Sequence, residues 1–117
     1  LSNHPKIEKV FFPGNDKRHK EIAEKQMDGF GGMMSFVIDS DINGVKTFLK
    51  NLNLFTLAES LGGVESLIEH PAIMTHASID PSIREKLGIS ETLLRISVGI
   101  EDVDDLISDL DQALSKI

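Results

Sequence analysis

Cysteine, tryptophan and tyrosine are all missing from these 117 residues. Without cysteine there is no disulfide framework, no thiolate zinc site and no cysteine nucleophile. Basic residues are scarce too, 12 against 19 acidic for a net charge of -7. No basic stripe forms, so nucleic acid is not an expected partner. No apolar run approaches the roughly 20 residues of a membrane-spanning helix, and no charged-apolar-small leader opens the chain. The expectation is a cytoplasmic protein that does not engage a membrane.

What is present suits a single soluble domain: 40% hydrophobic and 26% charged residues, and a length that fits one compact core. The opening LSNHPKIEKV reads as the last turn of a helix running through Pro5 into a strand. A helix cut at its beginning suggests a fragment of something longer.

Ile7–Phe12 is β-branched and aromatic enough for a strand, which Pro13-Gly14 stops. Asp16 is placed to cap a helix in which His19, Ile22, Ala23, Gln26 and Met27 share a face, and Gly29, Gly31 and Gly32 end it. MMSFVI alternates Met34, Phe36 and Ile38 against Met33, Ser35 and Val37, as a strand with one face on a core does. Asp39, Ser40 and Asp41 are candidate caps for a helix with Val45, Phe48, Leu49 and Leu52 inside and Lys46 and Lys50 outside.

LFTLA and VESLIE read as short strands, and Pro81 opens a turn or two of helix with Ile83 and Leu87 inside and Gly88 after it. LLRISV alternates clearly, Leu94, Ile96 and Val98 on one face and Leu93, Arg95 and Ser97 on the other. Val103, Leu106, Ile107, Leu110, Leu114 and Ile117 form a last helical stripe, with Glu101, Asp102, Asp104 and Asp105 at the positive end of its dipole. The order β-α-β-α-β-β-α-β-α, with several connections too short for crossovers, predicts an α+β fold. Its sheet is mostly antiparallel, with helices packed on one face.

Arg95 is the most informative residue for function. If Leu94, Ile96 and Val98 face the helices, parity sends Arg95 to the opposite face. There a guanidinium either meets water or a salt-bridge partner, or grips a carboxylate bidentately. The SLGG stretch at 60–63 is either a strand turn that uses glycine for positive φ or a place where backbone amides and Ser60 approach a ligand. Glu59, Glu65, Glu69, His70 and His76 invite a metal, yet no HExxH-like spacing puts two ligands on one helical face, and no metal is expected. Nor does a GxSxG turn support a serine nucleophile.

Taken together, VFFPG, QMDGFGGMMSF, LFTLAESLGGVESLIEHPAIMTHAS and LGISETLLRISVGIEDVDDLISDLDQAL resemble the C-terminal domain of the pyridoxal-phosphate-dependent enzymes of cysteine and methionine metabolism. The resemblance is nearest the branch that handles cystathionine on its γ side, lyase or synthase. RHK at 18–20 departs from the family's usual segment after the PG turn.

The resemblance implies that residues 1–117 are the small domain of a homotetrameric enzyme. The family's large domain carries the Schiff-base lysine and nearly all of the pyridoxal 5'-phosphate site, so no catalytic or cofactor-binding residue is expected here. It also implies that Arg95 binds the α-carboxylate of an amino-acid substrate, that Ser60 helps hold it, and that Thr75 orients Arg95. Glu59, where β-side and methionine-directed relatives tend to be apolar, would pair with the distal ammonium of cystathionine. The lyase reaction so implied yields cysteine, 2-oxobutyrate and ammonia. The synthase joins an activated homoserine to cysteine. A free-standing α+β binding module is the reading from another class.

Overall fold

A computed structural model describes residues 1–15 and 17–117, without the side chain of Arg18. The capping role expected of Asp16 therefore lies outside the described residues. Nine elements follow in the expected order: β1 (Ile7–Phe11), α1 (Lys17–Gln26), β2 (Met33–Ile38), α2 (Ile42–Lys50), β3 (Thr56–Leu57), β4 (Leu67–Glu69), α3 (Pro81–Lys86), β5 (Leu93–Ser97) and α4 (Val103–Leu114). The first six residues make turns rather than a helical end.

The strands form one sheet in the order β1-β2-β5-β4-β3, antiparallel except for the β3–β4 pair. Opposed residues in such ladders share a face. Phe36 opposite Leu94, Met34 opposite Ile96 and Ile68 opposite Ile96 therefore make one apolar surface. Val45 and Phe48 of α2 and Leu106, Leu110, Ala113 and Leu114 of α4 close over it as a single core. Phe36 and Phe48 meet edge to face, centroids 6.2 Å apart. Each such side chain contributes about 1.5–3 kcal/mol on burial, so this face carries the fold and frees the opposite one for other work.

Local chemistry sets the helix ends. Of the three candidate caps, Asp41 starts α2, its carboxylate accepting from the amides of Asn43 and Gly44 at 3.0 and 2.9 Å. Asp102 does the same for Asp104 and Asp105 at the start of α4. Glu101, expected to serve that helix end, instead turns back. It accepts from the amide and the hydroxyl of the fully buried Ser66, both at 2.7 Å, and these bonds hold its carboxyl below the usual range. The connection beside it needs glycine at position 99, because a Cβ there would stand 2.3 Å from the carbonyl of Val64.

Three helical faces differ from the periodicity. Among the described residues of α1 and the residue after it, only Ala23 is buried; Ile22 and Met27 are exposed. In α3 the expected inside residues Ile83 and Leu87 face out and Arg84 faces in, since its guanidinium donates to the carbonyls of Ile79 and His76 at 3.1 and 3.4 Å. In α4 Val103 and Ile107 are exposed, and the inward line includes Asp109. That carboxylate accepts from the amides of Asn53, Leu54 and Phe55 at 2.8, 2.9 and 3.2 Å.

Candidate functional site

The β4–β5 register sets Glu69 directly opposite Arg95, and the β2–β5 register sets Ser35 on its other side. All three lie on the sheet face turned away from α2 and α4, where parity puts Arg95. The Arg95 Nη1 donates to Glu69 Oε2 at 2.8 Å, with the arginine side chain 23% exposed and the glutamate 1% exposed. Nη2 donates to the backbone carbonyls of Glu59 at 2.9 Å and Ser60 at 3.3 Å. Nε is buried and has no acceptor among the described residues.

The guanidinium is thus held on one side by a buried carboxylate and on another by the loop after β3. Ion pairs of this kind are directional, because the planar fork fixes the angle at which a further carboxylate must arrive. The second oxygen of Glu69 is taken by the Thr75 hydroxyl, which also lies 2.7 Å from His76 Nδ1. A hydroxyl has one proton to give. With that proton on Glu69, the His76 contact is satisfied by Nδ1–H donating to Thr75, so the string runs His76 to Thr75 to Glu69, with Arg95 donating from the other end.

Of the four residues singled out in the sequence, Arg95 sits at the centre of this cluster. Glu59 and Ser60 join it through their carbonyls, with exposed side chains at its rim. Thr75 is brought into the cluster through Glu69 rather than by touching the guanidinium. Gly62 has φ 74° and its amide donates to Ser97 Oγ at 2.7 Å. That glycine serves the turn and ties the loop to β5.

The acids and imidazoles of the 55–76 stretch go to separate tasks. Glu65 is exposed, Glu69 pairs with Arg95, and His70 is fully buried with Nε2 2.8 Å from the carbonyl of Glu91. Burial, only partly offset by that carbonyl, pushes the His70 pKa down. Sequence reasoning missed Glu69 as the partner of Arg95. The available signal was a shared strand parity between LIE and LLRIS, but pairing them requires the β4–β5 register.

A cavity of about 390 Å³ lies elsewhere, between the sheet and α4, with Met34, Phe55, Ile96, Leu106 and Leu110 among its walls. None of Arg95, Ser60, Glu59 or Thr75 lines it.

Residues 1–115 match the family model described as Cys/Met metabolism PLP-dependent enzyme. The chain belongs to this family. The cystathionine gamma-lyase of Dictyostelium discoideum is 55% identical over 118 residues, covering 99% of this chain and 30% of that protein. The cystathionine beta-lyase of Lactococcus lactis subsp. cremoris is likewise 55% identical, over 117 residues, with the same coverage. A solved cystathionine gamma synthase from Xanthomonas oryzae pv. oryzae, in complex with cystathionine, superposes with a TM-score of 0.92 at 48% identity, over 99% of this chain and 30% of that one. The chain therefore spans 30% of the length of each of these relatives. Overall identity does not choose among the reactions, since β-lyase and γ-lyase are equally similar.

The family's cofactor is pyridoxal 5'-phosphate. The described residues of the Arg95 cluster do not by themselves form a holder for it. The groups facing Arg95 are a carboxylate and two carbonyls, none of them able to form a Schiff base with the cofactor's aldehyde. No lysine amine is among its partners. No helix is long and apolar enough to cross a membrane among the described residues.

Proposed function

We propose that this chain is the small C-terminal domain, residues 1–117, of a longer pyridoxal-phosphate-dependent enzyme that cleaves cystathionine on its γ side, and that its part is to hold the substrate's α-carboxylate. The observation that carries the reading is Arg95: a cation fixed on the sheet face turned away from α2 and α4, with a partly exposed side chain whose Nη1 and Nη2 are held by Glu69 and the loop after β3. A guanidinium held in advance binds a planar anion without losing further side-chain freedom. The Ser60 hydroxyl at its rim adds a donor to the same carboxylate.

Fixing that carboxylate fixes the rotation of the substrate about its Cα, which is the orientation a neighbouring catalytic group requires. Glu59, exposed one residue before Ser60, supplies a carboxylate for the distal ammonium of cystathionine. Reaction chemistry is assigned to the large domain of the same enzyme, in a cytoplasmic homotetramer. Sequencing the coding region upstream of Leu1 checks this: a large α/β domain with a candidate Schiff-base lysine is expected, and an in-frame stop there overturns it.

The second reading is the synthase, favoured by the close superposition on the gamma synthase. Full-length protein supplied first with cystathionine, then with an activated homoserine plus cysteine, separates the two. More 2-oxobutyrate from cystathionine than cystathionine from the second mixture is expected; the reverse establishes the synthase.

A further inference from the structure

The structure assigns to Glu69 the role of positioning residue for Arg95: its buried carboxylate, steered by the Thr75 hydroxyl, holds the guanidinium at the angle from which it meets a ligand carboxylate. This rests on the reading of Arg95 as the carboxylate-binding group. The geometry is specific. Glu69 is 1% exposed and directly across the β4–β5 ladder from Arg95, and both its oxygens are committed, Oε2 to Nη1 at 2.8 Å and Oε1 to Thr75.

A long arginine side chain on an open sheet face otherwise samples many rotamers, each of which moves the fork. The two loop carbonyls restrain only Nη2. Glu69 restrains the other nitrogen, and the two restraints together define the plane. They leave the buried Nε–H without an acceptor. Glu69, 1% exposed and with both oxygens committed, has no free edge to offer a ligand.

The test uses the full-length holoenzyme and two unreactive amines that differ only by the carboxylate, alanine and ethylamine, each titrated against the absorbance of the bound cofactor. Glu69→Ala is expected to raise the Kd for alanine at least tenfold while leaving that for ethylamine within twofold. Glu69→Gln, which keeps a hydrogen-bonding amide but loses the charge, is expected to raise the alanine Kd at least threefold but less than Glu69→Ala does. A purely structural role weakens both amines alike, and that result overturns the assignment, as does an unchanged Kd for alanine. If Glu69→Ala does not fold, Glu69→Gln decides by the same threefold criterion. Arg95→Ala separates the two levels. A selective loss of alanine there with none in the Glu69 variants removes only the Glu69 assignment; no selective loss in Arg95→Ala removes the reading of Arg95 and this inference with it.

Discussion

Glu69 and Asp109 are two buried carboxylates on opposite faces of one sheet, and they end in different states. Asp109 accepts three backbone amides from residues 53–55, together with side-chain donors from Asn53 and Gln112. All of its donors come from the domain's own loop and helix, and what it fastens is α4 to the approach to β3. Glu69 fastens a cation, and the cation keeps an exposed edge. A buried carboxylate saturated by backbone donors stabilises the fold, whereas one paired with a partly exposed arginine holds that group ready for a further anion.

The largest expected effect lies on the Arg95 side. In the full-length enzyme Arg95→Ala should lose about 2 to 5 kcal/mol in kcat/KM, the size expected when a buried charge pair is broken, while absorbance of the bound cofactor persists. Unchanged kcat/KM with a lowered unfolding stability would place Arg95 with structure, beside Asp109. Conversely, Asp109→Ala should lower unfolding stability by about 3 kcal/mol, since it strands the buried amide of Phe55 and the part-buried amides of Asn53 and Leu54, at about 1–3 kcal/mol for a fully buried group. Denaturant unfolding checks the size, and a change in substrate affinity without one in stability would break the contrast.

Titration sharpens it further. Burial works against the charged form of Asp109, but the amides of Leu54, Asn53 and Phe55 outweigh it, and its carboxyl lies below the ordinary 3.8. Its contribution is present above pH 3.8 and is lost as pH falls through the lowered folded value. His70 acts at milder pH. Its pKa is depressed by burial from 6.5, so the unfolded chain takes up a proton that the folded one refuses. Stability on its account is full above pH 6.5 and declines as pH falls from there towards the lowered folded value. Melting temperatures measured from pH 7.5 down to 5 should fall, and His70→Gln should flatten that slope; an unflattened slope assigns it to other groups.

The smallest effect concerns specificity. Glu59 lends only its carbonyl to the cluster, so Glu59→Leu should leave stability within about 0.5 kcal/mol, as exposed sites generally do. The same variant should lower the preference for cystathionine over methionine. Unchanged discrimination removes Glu59 from the substrate's distal end.

Much of this was legible in the residues. The alternation of MMSFVI and LLRISV set the core face of β2 and β5, and through it the side on which Arg95 emerges, because a strand has a fixed period of two. The start of α2 was legible as far as three candidate caps, Asp39, Ser40 and Asp41, and that of α4 as far as four acidic residues, because helix-end chemistry is local; which residue caps was decided by the structure. Helical faces were read less well. Arg84 replaced Ile83 and Leu87 as the inward residue of α3 because the carbonyls of Ile79 and His76 in the preceding turns met it there, and Asp109 joined the inward line of α4 because amides of a distant loop met it. Periodicity counts apolar positions and has no means of anticipating a polar side chain buried by partners far along the chain.

Short-range pattern in the sequence was enough to determine the order of elements, the two-faced sheet and the emergence of a guanidinium away from α2 and α4, while the family came from resemblance over long stretches. Only the tertiary structure decided what that guanidinium meets. Its partner Glu69 is 26 residues earlier in the chain and becomes a neighbour only when β4 and β5 pair in one register. Parity fixes a side chain's direction from its immediate neighbours, but an ion pair needs two such directions to converge in space.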